Sequence, residues 1–183
     1  LKHQIEFLKM EISEKDKIAY LNKMEKEIQQ YEAENKTGNR ILDTILTTKS
    51  LNCQEKNIQM TCVADGKALD FVNPMDICSI FGNALDNAIT SAEKVENPER
   101  RLIHVTVSQE KSFLRIKIEN SFQGVLKMKN QLPITTKEDR RYHGFGLKSM
   151  KEIAEKYKGS MTVSAKDGWF ELRILIPLPE SEK

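Results

Sequence analysis

The chain has 183 residues, 31% of them charged and 39% hydrophobic, with a formal net charge of +2. That balance fits one globular domain with a small appendage and excludes a disordered chain or a disulfide-built scaffold. No apolar run approaches the ~20 residues of a membrane span, and Cys53, Cys62 and Cys78 lack the close pairing of a zinc or redox motif, so they are expected as buried reduced thiols in a cytosolic protein.

Leu1, Ile5, Leu8 and Ile12 repeat at helical spacing, and so do Leu21, Met24, Ile28 and Tyr31. Both are narrow apolar stripes of the kind that line helical bundles. Ser13 followed by Asp16 resembles a capping box, so one helix is expected to end near Ile12 and another to start there. Two short amphipathic helices cannot bury their stripes alone; a helical hairpin that pairs with a second copy into a four-helix bundle buries both. The polar run Glu34-Asn35-Lys36-Thr37-Gly38-Asn39 marks a boundary between a helical segment over 1–37 and a second domain over 38–183.

Ile41, Leu42, Ile45 and Leu46 open a helix expected to run to about Asn57, and the β-branched stretch from Ile58 to Ala64 predicts a strand. Asn73-Pro74 is a cap with proline at the first helical position, starting a long helix to about Val95. Ile103, Val105 and Val107, then Leu114, Ile116 and Ile118, alternate with polar residues. They predict two strands joined as a hairpin through Glu110-Lys111-Ser112. Residues 121–145 show no period, and about 25 such residues inside a compact domain point to a functional loop or lid. Leu147, Met150, Ile153, Ala154 and Tyr157 share one helical face, expected to end with Gly159 at the C′ position. Asp167-Gly168 turns a last hairpin with Phe170, Leu172, Ile174 and Ile176 on one face. This order predicts an α+β sandwich, one mixed sheet with helices on one face, preceded by the helical hairpin.

Charge is uneven along this order. Residues 51–100 hold four basic and eight acidic side chains, whereas residues 101–183 hold sixteen and ten. The basic excess gathers at Lys127, Lys129, Lys137, Arg140 and Arg141, beside the only Gly-x-Gly. That suits a small anion better than a nucleic-acid groove, with a solvated loop of ordinary lysines as the alternative. In the long helix Asn83, Asn87, Thr90 and Lys94 fall within a ~60° sector flanked by Asp86, opposite Ile77, Phe81, Ala84, Leu85, Ala88 and Ala92. Asn and Asp are poor helix formers, so amides in mid-helix need a reason. A hard cation carrying phosphate ligands supplies one; a merely polar face is the other reading.

His143-Gly144-Phe145-Gly146-Leu147 stands immediately before the last helix, where glycines admit a phosphate to free N–H donors. Leu147 before Lys148 excludes a Walker A loop, and the missing third glycine and strand argue against a Rossmann fingerprint. Asn120-Ser121-Phe122-Gln123-Gly124, after a strand, is either a turn or a polar hook with a glycine for a planar base.

In order, Asn83-Ala84-Leu85-Asp86-Asn87-Ala88, then Asn120 to Gly124, then His143 to Leu147 resemble the N, G1 and G2 boxes of the GHKL ATP-binding superfamily, over roughly residues 40–178. That superfamily joins gyrase, the heat-shock chaperone, histidine kinases and MutL on the Bergerat α/β sandwich. Gly38-Asn39-Arg40-Ile41-Leu42-Asp43 and the His-Gly-Phe-Gly-Leu-Lys run look most like the Gram-positive, peptide-sensing histidine kinases. The resemblance implies ATP and Mg²⁺ as cofactors, with transfer of the γ-phosphoryl to a His on the dimerisation helices and then to a response regulator. It further implies a homodimer through the N-terminal helices, no nucleic-acid partner, and a cytoplasmic domain of a protein anchored in the membrane upstream. A degenerate, non-catalytic Bergerat module that binds nucleotide and dimerises is the alternative.

Position by position, Asn87 matches the asparagine that ligates Mg²⁺, and Asn83 the position that is Glu in hydrolysing members. An amide cannot serve there as a general base. Thr90 stands where many histidine kinases have Lys, and Asn120 where an Asp accepts the adenine amino proton. Gly124, Gly144 and Gly146 match box glycines, His143, Phe145 and Leu147 complete the ATP-binding set around them, and Lys137 lies in the lid. The opening Leu1-Lys2-His3 resembles the end of an H-D-x-K-H acceptor segment, which sets the acceptor upstream of Leu1 and leaves His3 as the lesser candidate. His104 and His143 match no acceptor. The chain is therefore expected to bind ATP without phosphorylating itself.

Overall fold

A computed structural model describes residues 16–23, 25–26, 36–124, 128–129, 132–133 and 143–179. Residues 16–23 and 25–26 are helical, with Ile18 and Leu21 exposed there (55% and 47%). The stripe from Leu1 to Ile12, the Ser13 cap, Met24, Ile28 and Tyr31 lie outside the described residues.

Asn39 starts the first helix of the domain, α1 (Arg40–Glu55), its side chain accepting from the N–H groups of Ile41 and Leu42. Just ahead of it, the backbone N–H and hydroxyl of Thr37 both donate to Asp43 Oδ1, at 2.9 and 2.6 Å. Gly66 N–H donates to the Thr37 carbonyl at 2.8 Å. A Cβ on Gly66 would lie 2.3 Å from Thr37 Oγ1 and 2.7 Å from Asn39 N, so only glycine permits this approach.

After α1 come β1 (Gln59–Ala64), a 3-10 turn at Gly66–Leu69, and α2 (Pro74–Glu93), whose cap Asn73 accepts from Met75 N–H. The hairpin β2 (Leu102–Glu110) and β3 (Phe113–Ser121) follows. A small pair β4 (Met128–Lys129) and β5 (Leu132–Pro133), α3 (His143–Lys156), and the hairpin β6 (Ser160–Lys166) and β7 (Trp169–Pro177) complete the order. The main sheet runs β1-β2-β3-β7-β6, with β1 parallel to β2 and every other neighbour antiparallel. A parallel pair needs a crossover, and α2 is that crossover.

One face of the sheet is apolar and covered by the helices. Ile103, Val105 and Val107, and Leu114, Ile116 and Ile118, are buried under Ile77, Phe81, Ala84, Leu85, Ala88 and Ala92 of α2, and Leu172, Ile174 and Ile176 of β7 are buried on the same face, where α3 packs. Leu42 and Leu46 of α1 and Met150 and Ala154 of α3 close the core on either side. The mixed sheet with helices on one face is the architecture that the alternation and the helical stripes predict.

Three details depart from expectation. The Gly-x-Gly does not precede the last helix: α3 starts at His143, so both glycines sit in its first turn, where the N–H of Gly144 lacks a helical partner in any case. Gly159 is not the left-handed residue that ends α3; Lys158 is (φ 57°), and Gly159 is bare because a Cβ there would meet the Leu175 carbonyl at 2.3 Å. Among the thiols, Cys53 is buried and Cys62 half-buried, each pushed up to about 11 chiefly by burial, but Cys78 is exposed on α2.

Candidate functional site

Asn83, Asn87 and Thr90 lie half-buried along α2, away from its core face, and Lys94 is exposed at its end. The carboxamide of Asn87 has no hydrogen-bond partner among the described residues. Asn83 is different: its Nδ2 donates to the Ser79 carbonyl at 2.8 Å and to Ser79 Oγ at 3.3 Å. Asp86, on the flank of the amide sector, accepts from Lys49 of α1 at 2.5 Å, and one heptad on Lys56 and Glu93 repeat the pair. Asp86 is thus an interhelical ion-pair partner. The matched seven-residue spacing of Lys49/Lys56 and Asp86/Glu93 was the available signal.

On the other flank lies α3. Gly146 is buried against Asn83, and Ser149 Oγ is 3.3 Å from Ser79 Oγ. At the far end of the same helix pair, Asp76 accepts from Lys156 Nζ and from the Tyr157 hydroxyl, both at 2.7 Å, while Asn73 N–H donates to Tyr157 at 2.9 Å. Burial alone would raise the Asp76 carboxyl, but these two hydrogen bonds and the Lys156 charge outweigh it and hold it below its ordinary value. Tyr157 is raised by burial and then by the carboxylate it bonds.

Asn120 continues the helix-facing row of β3 that holds Leu114, Ile116 and Ile118, and it is 1% exposed. Its Nδ2 donates to the Ser121 carbonyl at 2.8 Å, which leaves its oxygen as the end that can accept from a donor. Ser121 Oγ accepts from Leu102 N–H at 2.9 Å, tying the end of β3 to the start of β2. Gly124, with φ 131°, adopts a conformation open to glycine.

The structure therefore brings Asn83 and Gly146 into contact, sets Asn87 one turn farther along α2, and puts Asn120 on the strand against which α2 packs. His143, Gly144 and Phe145 enter through their helical backbone, and Leu147 packs partly buried on the core. Lys137 and His3 lie outside the described residues. His104 stacks on Trp169 with ring centroids 5.2 Å apart and shares a 2.5 Å hydrogen bond with Thr61, a structural role on the strand. A pocket of about 440 Å³, lined in part by Glu96, Arg100, Phe122 and Trp169, opens past the C-terminal end of α2 and does not include the amides. Among the described residues no cluster of three or more His, Cys, Asp or Glu could hold a metal. A cation at this site would depend on amide oxygens and on oxygens brought by its ligand, a set that suits Mg²⁺.

Comparison with known proteins follows the same lines. The family described as GHKL domain matches residues 72–177. No curated protein matches the chain. Among solved structures, the nucleotide-free catalytic domain of histidine kinase ThkA is similar at 20% identity with a TM-score of 0.60, covering 76% of this chain and 93% of that one. Acinetobacter baumannii histidine kinase AdeS is similar at 13% identity and TM-score 0.53, covering 98% and 93%. The histidine kinase domain of the Erythrobacter litoralis EL346 blue-light-activated kinase has 14% identity and TM-score 0.51, covering 73% and 59%. At these identities the likeness is one of fold.

Proposed function

This chain belongs to the GHKL domain family, and from that premise we propose that it is the ATP-binding catalytic part of a sensor histidine kinase of the peptide-sensing type. It acts in the cytoplasm as a homodimer through residues 1–35, in a protein anchored in the membrane, and serves a response regulator. The observation that carries the reading is Asn87: a half-buried mid-helix carboxamide with no partner among the described residues, on a helix whose fully buried side chains are all apolar.

Mg²⁺-bound ATP supplies the transferable γ-phosphoryl group. Asn87 would hold the ion through its amide oxygen, a hard donor of the kind Mg²⁺ accepts. Asn120 offers its oxygen to the adenine amino group, and the first turn of α3, with Gly144 and Gly146, offers backbone N–H groups to phosphate oxygens. Asn83 cannot take a proton from water, so these residues position the phosphoryl group for a histidine on the dimerisation helices without hydrolysing it.

The test is phosphotransfer. The chain with a His-Asp pair placed ahead of Leu1, incubated with γ-labelled Mg²⁺-ATP, should acquire acid-labile, base-stable label, and the chain as it stands should bind ATP and stay unlabelled. Label on His3 in the chain as it stands would move the acceptor there. Tight nucleotide binding with no label on either chain would favour the non-catalytic module, for which the neutral Asn120, a hydrogen-bond acceptor without charge assistance, is the supporting observation.

A further inference from the structure

Gly-x-Gly at the start of a helix is ordinarily explained by the approach of a phosphate to the backbone. Gly146 has a second neighbour. A Cβ built on it would lie 3.1 Å from Asn83 Oδ1, 3.4 Å from its Cγ and 3.5 Å from its Cβ. The first of these is tighter than nine in ten real Cβ contacts, so Asn83 would have to yield by a few tenths of an ångström.

Asn83 is poorly placed to yield. Its Nδ2 is held from behind by the Ser79 carbonyl at 2.8 Å and by Ser79 Oγ at 3.3 Å. Ser79 Oγ is in turn 3.3 Å from Ser149 Oγ, one turn beyond Gly146 on α3. The donor end of the carboxamide is thereby committed to α2, and the oxygen is presented toward the bare face of α3. Flipping the amide would set Oδ1 against the Ser79 carbonyl, oxygen on oxygen. Gly82, inside α2, meets nothing within 4 Å, and Gly66 and Gly159 have backbone atoms among their nearest neighbours.

We propose that Gly146 is a positioning residue that acts through Asn83: its missing side chain leaves the space in which the Ser79-held carboxamide presents its oxygen to the nucleotide site. The inference rests on the nucleotide-binding reading for its function, though the contact itself does not. The phosphate account makes the effect of a methyl group at 146 independent of residue 83; the present one makes it depend on Asn83.

A double-mutant cycle separates them, with Gly146→Ala, Asn83→Ala and the double variant made in the 183-residue chain. Mg²⁺-ATP affinity is measured by titration, and the midpoint of thermal unfolding alongside it. Gly146→Ala should weaken Mg²⁺-ATP binding about tenfold in the Asn83 background and less than about twofold in the Asn83→Ala background. Equal losses in the two backgrounds, or no loss in either, would overturn the proposal. Should the unsubstituted chain fail to bind Mg²⁺-ATP, the kinase reading fails, and the unfolding midpoints decide the contact. Gly146→Ala should then raise the midpoint only when Asn83 is absent, since alanine otherwise favours a helix. Equal shifts with and without Asn83 would overturn it. If Gly146→Ala does not fold while the double variant does, the contact is supported; if neither folds, the methyl group meets something other than Asn83 and the proposal falls.

Discussion

The hydroxyl of Tyr157, the residue after α3, donates to the Asp76 carboxylate in the first turn of α2 across 2.7 Å. The pair fastens one end of the helix couple whose other end meets at Asn83 and Gly146. Because Asp76 sits below its ordinary value in the fold, its contribution is present above the ordinary carboxyl range and is lost as pH falls through the lowered value. Tyr157 runs the other way: with its value raised, its contribution holds below about 10 and disappears as pH rises through the folded value. Tyr157→Phe should cost about 1 kcal/mol at neutral pH and flatten the acid limb of the stability profile. Urea unfolding followed from about pH 3 to pH 7 checks both, and an unchanged acid limb would count against the pairing.

Asn87→Ala should abolish Mg²⁺-dependent ATP binding while leaving the fold intact. Alanine is the better helix former, so the variant should be as stable as the parent or more so by about 0.5 kcal/mol. Calorimetric titration with and without chelator, beside a melting curve, makes the check. Nucleotide affinity unchanged with Mg²⁺ present would remove Asn87 from the ion.

Two glycines should respond in opposite senses. Gly66→Ala drives a methyl group into Thr37 Oγ1 and Asn39 N, against backbone that cannot swing aside, and should cost about 1–3 kcal/mol. Gly82→Ala, in the middle of α2 with nothing near its missing Cβ, should gain about 0.5–1 kcal/mol. Denaturant midpoints of the two variants measure the difference.

Leu21 of the second stripe, and Ile18 beside it, are exposed apolar side chains. The full chain should therefore be a dimer, and a chain shortened to begin at Lys36, which keeps the Thr37–Asp43 hydrogen bonds, should be a monomer. Light scattering gives the masses. A dimer of undiminished strength after shortening would move the interface into residues 36–183.

The sheet was legible because each strand meets two environments. Ile103, Val105 and Val107 alternate with His104 and Thr106 since one side faces α2 and the other does not, and that contrast is written in period two. The same parity runs through Ile118 to Asn120, so its inward direction could be read as well. Contacts between distant segments left no such mark. Nothing in the spacing of Ser79 and Ser149 announces that two helices bring them within 3.3 Å, and Gly159 is bare because of Leu175, which only the fold puts beside it. The start of α3 was missed because two glycines argue locally against a helix, whereas the first turn is where their low propensity costs least. Cys78 was misjudged from composition: cysteine is usually buried, but this one falls on the outer side of α2.

β3 and β7 lie side by side, with Phe113 opposite Pro177 and Ser121 opposite Trp169, although the chain between them carries the stretch from Gly124 to His143, α3 and β6. Closing such a loop costs entropy that grows only with the logarithm of its length, so doubling it adds about 0.6 kcal/mol. The register of β7 is set elsewhere, by its inward row and by the tight Asp167-Gly168 turn, where both residues have positive φ. Residues can thus be added or removed between Gly124 and His143 without re-registering a strand of the five-stranded sheet. The length of that stretch is a nearly neutral variable, free to drift toward whatever partner or ligand rewards it while the sheet stays as it is.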